Sequence, residues 1–99
     1  MSYTRMRVLE TAQSWAEGMK GFRKSLEPAL NAFKKQKVLS SWSLVQTGEN
    51  AGMLITNFPN KAAMNKYHRT MDAIRRGVEE EAGTGGQSWV YHGPVKASG

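Results

Sequence analysis

Residues 38–58, VLSSWSLVQTGENAGMLITNF, contain the clearest structural signal in the sequence. The segment from Val38 to Thr47 is rich in β-branched and aromatic residues, which predicts a strand. Residues 48–52, GENAG, have the composition of a turn, and Met53–Phe58 then predicts a second strand. The two strands together predict a β-hairpin in the middle of the chain.

One long helix is predicted before this hairpin. Ser14 and Glu17 have the spacing of a capping box, in which the serine hydroxyl accepts a hydrogen bond from a backbone N–H of the first turn. Apolar residues then recur every three or four positions as far as Phe33, which predicts an amphipathic helix over residues 15–36. Pro28 interrupts this pattern, but the apolar residues keep their phase on both sides of it. We therefore expect one kinked helix and not two separate elements.

The remaining segments complete an alternating order of strands and helices. Tyr3–Leu9 alternates as a strand does, and Gln87–His92 predicts the last strand. Between the hairpin and that strand, Asn60 is a candidate helix cap, and Gly83 ends the helix that follows. The order βαββαβ with right-handed crossovers predicts an α+β, ferredoxin-like sandwich. In this fold a four-stranded antiparallel sheet carries both helices on one face.

Both faces of the predicted sheet are apolar. Along each strand, successive side chains point to opposite faces. The second strand has Val38, Trp42 and Leu44 on one face and Leu39 and Val45 on the other. The third has Met53 and Ile55 against Leu54 and Phe58, and the fourth has Trp89 and Tyr91 against Val90. The helices cover only one face, and an antiparallel sheet with a wet second face would be polar on that side. We therefore expect the second face to pack against another copy of the chain, which would give a homodimeric α+β barrel.

Composition narrows the function classes. A chain of 99 residues suits one domain, which we assign to residues 1–94, with residues 95–99 as a frayed tail. The chain has no cysteine, which excludes disulfides and cysteine metal sites and fits a cytoplasmic location. The net charge of +6 favours anionic ligands. The sequence has no apolar run long enough for a membrane span, and the predicted third strand lacks the aromatic residues on which RNA-recognition sheets stack bases. We expect no nucleic-acid partner and no membrane partner.

The segment GMLITNFPNKAAMNKYHRTM, residues 52–71, resembles part of a known superfamily. A strand that ends in an aromatic residue, Phe58, leads into a helix with Tyr67 on its inner face and His68 beside it. This pattern and the order of elements over nearly the whole chain resemble the dimeric α+β barrel superfamily, which includes the antibiotic-biosynthesis-monooxygenase-like proteins. The resemblance implies a small dimeric α+β barrel fold.

The chain departs from the haem-degrading members of that superfamily. Those members use an asparagine on the first strand, a tryptophan and a helical histidine. Here the first strand carries Arg5 and Arg7, and Phe58 occupies the place expected for the tryptophan. Only His68 matches, so the resemblance gives no basis for a haem cofactor.

His68 and Asp72 are the candidate catalytic pair. They lie four residues apart, hence on one face of the predicted helix, and Asp72 is the single aspartate of the chain. A carboxylate that orients an imidazole prepares it to act as a general base. The same spacing also occurs in solvent-exposed pairs, and this alternative stays open. His68 and His92 lack an identifiable third ligand, so we predict no metal site.

Five residues are candidates for binding a substrate, namely Arg7, Trp42, Asn57, Tyr67 and Trp89. Together they have the character of a ligand pocket, which is mostly apolar with a few polar groups. The aromatic members equally suit a core or a dimer interface. Arg5 and Arg7 share one face of the first strand and could bind an anionic group together; the alternative is that they are solvated or paired with acids such as Glu10 or Glu49. We expect Trp42, Tyr67, His68 and Trp89 to surround one cavity.

These observations favour a monooxygenase-like enzyme that acts on a small aromatic or anionic metabolite without a tightly bound cofactor. The alternative is a non-catalytic homodimeric domain that binds a ligand or takes part in a stress response. The sequence leaves both hypotheses open, and the inspection of a dimer for a closed polar cavity would separate them.

Overall fold

The computed structural model describes residues 2–11, 14–82 and 86–98, and it leaves the side chains at 11, 72, 74–82 and 86–88 undescribed. Strands and helices follow the predicted order. They are β1 (Tyr3–Thr11), α1 (Trp15–Gly21), a π-helical segment (Phe22–Leu26), α2 (Glu27–Lys35), β2 (Ser41–Gly48), β3 (Ala51–Phe58), α3 (Lys61–Ala82) and β4 (Gly86–Pro94). Within the described residues, no helix is long and apolar enough to cross a bilayer.

The four strands form one antiparallel sheet in the order β2-β3-β1-β4. Strand β3 shows how the sheet separates its two faces, because its residues alternate between buried and half-buried along its whole length. Leu54 and Phe58 are buried on the side that the helices cover, whereas Met53 and Ile55 point to the opposite side. The α+β ferredoxin-like fold with both helices on one face is thereby confirmed.

A single helical run connects β1 and β2, as predicted from the phase of the apolar residues. Its irregularity lies just before Pro28, in the π-helical segment, where the backbone N–H of Glu27 donates to the carbonyl of Phe22. Pro28 then lies in the first turn of α2. Proline is common in the first turn of an α-helix, because its fixed φ already suits the helix. The segment thus accommodates Pro28 without ending the helix.

Two predicted helix caps are present. The Ser14 hydroxyl accepts a hydrogen bond from the backbone N–H of Glu17 at 3.3 Å. The side-chain carbonyl of Asn60 accepts one from the backbone N–H of Ala63 at 2.9 Å. These bonds satisfy N–H groups that have no partner within the first turn, and they define where α1 and α3 begin.

Strand β2 begins three residues later than predicted. After α2 the backbone of Lys37 takes a left-handed φ of 63°, and the N–H of Leu39 donates to the carbonyl of Phe33 at 3.2 Å. Leu39 is only 1% exposed and belongs to the core, so its assignment to the same sheet face as Val45 was wrong. A short apolar run does not distinguish a strand from a buried connection, and here it is a connection.

At the hairpin end of the sheet, Trp15 of α1 lies over Gly52 of β3. The indole Nε1 donates to the carbonyl of Gly48 at 3.0 Å, which fixes the position of the ring. A Cβ on Gly52 would lie 2.7 Å from Cη2 of the indole. This strand therefore requires glycine at position 52 to admit Trp15.

The hydrophobic core lies between the sheet and the helices. Phe33 of α2 and Phe58 of the sheet both pack against Tyr67 of α3. Their ring centroids lie 5.3 Å and 5.0 Å, respectively, from that of Tyr67. Leu30 and Met64 complete this centre and are 0% and 3% exposed. These side chains form the apolar surroundings of the candidate site.

Candidate functional site

The alternation of β1 sends Arg5 and Arg7 to the face of the sheet that the helices cover. In register, Arg5 lies between Thr56 of β3 and His92 of β4, and Arg7 lies beside Val90 of β4. Successive residues of a strand point to opposite faces, so all five side chains share one face. The first strand thus places two guanidinium groups where the fold has its core.

Both arginines are buried, with 2% of Arg5 and 7% of Arg7 exposed. The Cζ atom of Arg5 lies 5.6 Å from the ring centroid of Tyr67, within the range of a cation–π interaction. The Thr56 hydroxyl donates to the carbonyl of Arg5 at 3.1 Å. We name Arg5, Arg7, Thr56 and Tyr67 the polar cluster.

Tyr67 is the contribution of α3 to the polar cluster. It is 0% exposed, and its hydroxyl oxygen is fully buried. Its ring packs between Phe33 and Phe58, as expected of an inner-face aromatic residue on this helix. His68 follows it along the helix and is half-buried. The candidate base therefore lies between core and solvent, next in sequence to Tyr67 of the cluster.

The pairing of His68 with Asp72 stays a prediction. The backbone of α3 runs through both positions and sets them one helical turn apart. The side chain of Asp72 lies outside the described residues.

Trp42 and Trp89 lie on opposite faces of the sheet. Trp42 pairs in register with Thr56, and its indole packs against Phe22 with ring centroids 5.8 Å apart. Trp89 pairs with Val8 and is 41% exposed on the other side. The expectation that both surround one cavity was therefore wrong for a single copy of the chain, since a four-stranded sheet separates them.

Asn57 also lies on the face away from the helices, opposite to Arg7. Its side-chain carbonyl accepts from the Thr4 hydroxyl at 2.7 Å, and its side-chain amide donates to the Ser41 hydroxyl at 3.0 Å. Asn57 and Arg7 do not share a site within one copy. The candidate binding residues divide into Arg7, Trp42 and Tyr67 on one face and Asn57 and Trp89 on the other.

We name the face without helices the open face. Two rows of side chains cross it from strand to strand, and in register they are Val45, Met53, Val8 and Trp89, then Ser43, Ile55, Met6 and Tyr91. Val45 is 43% exposed and Tyr91 is 59% exposed. Thr4, Asn57 and Ser41 form a polar row beside them. The open face is thus apolar in its middle, with this hydrogen-bonded polar row on one side and the exposed Glu10 of β1 on the other.

Thr56 of the polar cluster was absent from the sequence-based candidates. Arg5 was among them only as the partner of Arg7 in a possible anion-binding pair on one strand face. Thr56 alternates in phase with Leu54 and Phe58, so its place in the core was also readable from the strand pattern. Tyr67 was identified from both the helical stripe and the resemblance.

Metal-ligating side chains do not gather in the described part of the chain. No group of three or more His, Cys, Asp or Glu residues occurs there within reach of one ion. The groups that the cluster itself contains are two guanidinium groups and two hydroxyl groups.

No protein-family model matches the sequence, and no curated protein matches it either. Solved structures do match the fold. A dimeric ferredoxin-like protein from an uncultured marine organism superimposes with a TM-score of 0.82 at 8% identity, over 99% of this chain and 97% of that chain.

Two further structures extend the comparison. SnoaB, a cofactor-independent oxygenase from Streptomyces nogalater, gives a TM-score of 0.70 at 11% identity, over 98% of this chain and 95% of that chain. A protein from Mycobacterium tuberculosis gives 0.66 at 11% identity, with both chains covered fully at 100%. The chain therefore has the same ferredoxin-like α+β fold as these structures.

Proposed function

We propose that this protein is a homodimeric, monooxygenase-like enzyme that acts on a small aromatic or anionic metabolite without a tightly bound cofactor. The observation that supports this most strongly is the polar cluster. Burying charged groups costs free energy that apolar side chains of similar volume avoid. Two arginines inside a domain of 99 residues are better explained by a ligand than by stability.

The fold shared with SnoaB supports the reaction class, since SnoaB is a cofactor-independent oxygenase. Without a cofactor, the substrate itself must supply the electrons that reduce dioxygen. A phenol meets this requirement when it is oxidised to a quinone. One oxygen atom of O₂ becomes the new carbonyl oxygen, and the other leaves as water with the hydroxyl hydrogen and the ring hydrogen. The phenol loses four electrons, and O₂ gains four.

The residues around the cluster have roles that fit this reaction. His68 takes the phenolic proton, and Asp72 orients the His68 imidazole from one helical turn away. Arg7 and Arg5 stabilise the negative charge that the phenolate carries while it donates electrons to O₂. Tyr67 and Trp42 provide aromatic surface on the same side of the sheet.

The dimer part of the proposal rests on the open face. Val45, Trp89 and Tyr91 each leave more than two fifths of their surface exposed there. Exposed apolar patches of this kind mark interfaces, and the face-to-face packing of two sheets would cover them. The dimeric state of the marine ferredoxin-like protein supports the same arrangement.

Oxygen consumption by the purified, EDTA-treated protein tests the proposed reaction. The substrates are 1-naphthol, which is neutral, and 1-hydroxy-2-naphthoate, which is anionic. We expect protein-dependent O₂ uptake with at least one of them, and one atom of ¹⁸O in the quinone when ¹⁸O₂ is supplied. His68→Ala lowers the rate by about 100-fold, as the loss of a general base does.

The matched control is Arg69→Met, which changes an exposed charge on the same helix and leaves the rate unchanged. O₂ uptake equal to that of heat-denatured protein with both substrates counts against the enzyme. If the naphthoate then still binds, the non-catalytic ligand-binding domain becomes the better hypothesis.

A further inference from the structure

We infer that the ligand of the polar cluster carries a compact anionic group, a carboxylate or a phosphate, which Arg5 and Arg7 bind together. This inference rests on the proposed site and names its ligand class. The two arginines are two residues apart on the same face of β1, so their Cα atoms are about 7 Å apart. That separation lets two guanidinium groups converge on one anion.

Each guanidinium has more donors than one protein contact uses. It carries five N–H donors in a rigid fork, so an arginine that already donates to a protein group still has donors for a ligand. The planar fork matches the two oxygens of a carboxylate or phosphate and binds them through two parallel hydrogen bonds. The pair therefore offers several aligned donors within one small volume.

The arginines are also held in place before a ligand arrives. Arg5 lies over the Tyr67 ring with Cζ 5.6 Å from the centroid, and it is 2% exposed. Arg7 is 7% exposed, so its side chain has little freedom left to lose. Preorganised donors bind a ligand without the entropic cost of ordering long side chains. Attraction between opposite charges is also stronger in the low dielectric of the interior than at the surface.

The edge strand β4 gives the direction of approach. His92, beside Arg5, is exposed, and Val90, beside Arg7, is half-buried. The cluster therefore borders solvent on the β4 side. The exposed sides of the helices carry basic residues such as Lys24 and Lys66, whose field attracts an anion toward the domain.

Binding of three small aromatic probes tests the inference without any turnover. The probes are benzoate, phenyl phosphate and benzamide, and the last is a neutral analogue of benzoate. Isothermal titration in a phosphate-free buffer measures each affinity. We expect the better of the two anions to bind at least about tenfold more tightly than benzamide, and its identity shows whether the site prefers carboxylate or phosphate. Equal affinity for all three probes overturns the inference.

Variants of Arg7 show whether the anion binds at the cluster. Arg7→Met is expected to weaken the preferred anion about tenfold or more, while Arg23→Met, at an exposed position, leaves its affinity unchanged. If Arg7→Met does not fold, Arg7→Lys decides, because lysine keeps the charge and loses the fork. Arg7→Lys is expected to bind the anion several-fold more weakly, and an unchanged affinity contradicts the inference.

The two proposals fail separately. If the protein binds benzoate through Arg7 but consumes no O₂ with 1-naphthol or 1-hydroxy-2-naphthoate, the anion site is supported and the oxygenase proposal fails. If the protein oxidises 1-naphthol but binds neither benzoate nor phenyl phosphate, the oxygenase proposal is supported and the anion site fails.

Discussion

Lys37 occupies a position that its side chain disfavours. Among the described residues it is the only one other than glycine with a positive φ, at 63°, and it follows the last turn of α2. Helices commonly end in a residue of this conformation, and glycine is the usual residue there because it has no Cβ to clash with the backbone. The connection to β2 therefore carries strain that one substitution can remove.

Lys37→Gly is expected to raise the free energy of unfolding by about 1 kcal/mol, because glycine relieves the left-handed strain. Urea titration at a fixed protein concentration measures the change. Lys34→Gly is the control, since Lys34 is also exposed but lies inside α2, and it is expected to lower stability by about the same amount. If both variants lose stability equally, the backbone of Lys37 is not strained.

Gly52 shows the opposite dependence on a missing side chain. Its Cβ would meet the Trp15 indole at 2.7 Å and the carbonyl of Val45 at 3.2 Å. Gly52→Ala is expected to cost about 1–3 kcal/mol, because the indole must move and gives up its bond to the carbonyl of Gly48. Urea titration measures the cost, and a red shift of tryptophan emission reports the displaced ring.

Gly18→Ala is the matched control, because a Cβ on Gly18 would meet nothing within 4 Å and alanine favours the helix. This variant is expected to gain up to about 1 kcal/mol. A neutral Gly52→Ala with unchanged fluorescence would show that Trp15 does not depend on the open space above the strand.

At the scale of secondary-structure elements, Pro28 tests how the first helix is built. The π-helical segment Phe22–Leu26 precedes the proline and lets the helix continue through it. Pro28→Ala is expected to fold and to be as stable as the wild type or more stable, since alanine restores an N–H donor and has the higher helix propensity. Urea titration and circular dichroism measure this. A loss above about 2 kcal/mol would show that the local geometry at Pro28 is required for packing.

Elements were predictable where one periodicity dominated the sequence. The helix that begins after Asn60 runs to Ala82, as the apolar stripe and the glycine that follows it predicted. The start of β2 was not predictable, because Val38 and Leu39 have the composition of a strand and the burial of a connection. Local pattern does not include the tertiary contacts that place Leu39 in the core.

The candidate site was predictable only in part, and the reason is physical. The alternation of the first strand showed that Arg5 and Arg7 point away from Met6 and Val8. It did not show which of the two faces the helices cover. Charged residues on a strand usually face solvent, so two arginines on the core side contradict the general rule. The same uncertainty grouped Trp42 with Trp89, although the sheet separates them.

The whole molecule has two unlike surfaces. The helical side carries exposed basic residues, including Lys20, Lys35 and Arg69. The two apolar rows of the open face carry no charged residue in the described part of the chain. A second copy that covers the open face would therefore leave the charges outside and bury the apolar rows. An interface of the size of one sheet face suits a permanent dimer.

Light scattering coupled to size exclusion, at micromolar concentration, tests this arrangement most directly. Each chain has a mass of 11.0 kDa, so we expect a single species of about 22 kDa, which is twice that mass. Val8→Lys places a charge in the middle of an apolar row and is expected to shift the mass toward one chain. The control Ala32→Lys, on the exposed side of α2, is expected to keep the mass of two chains. A wild-type mass of 11 kDa with no larger species would contradict the dimeric barrel.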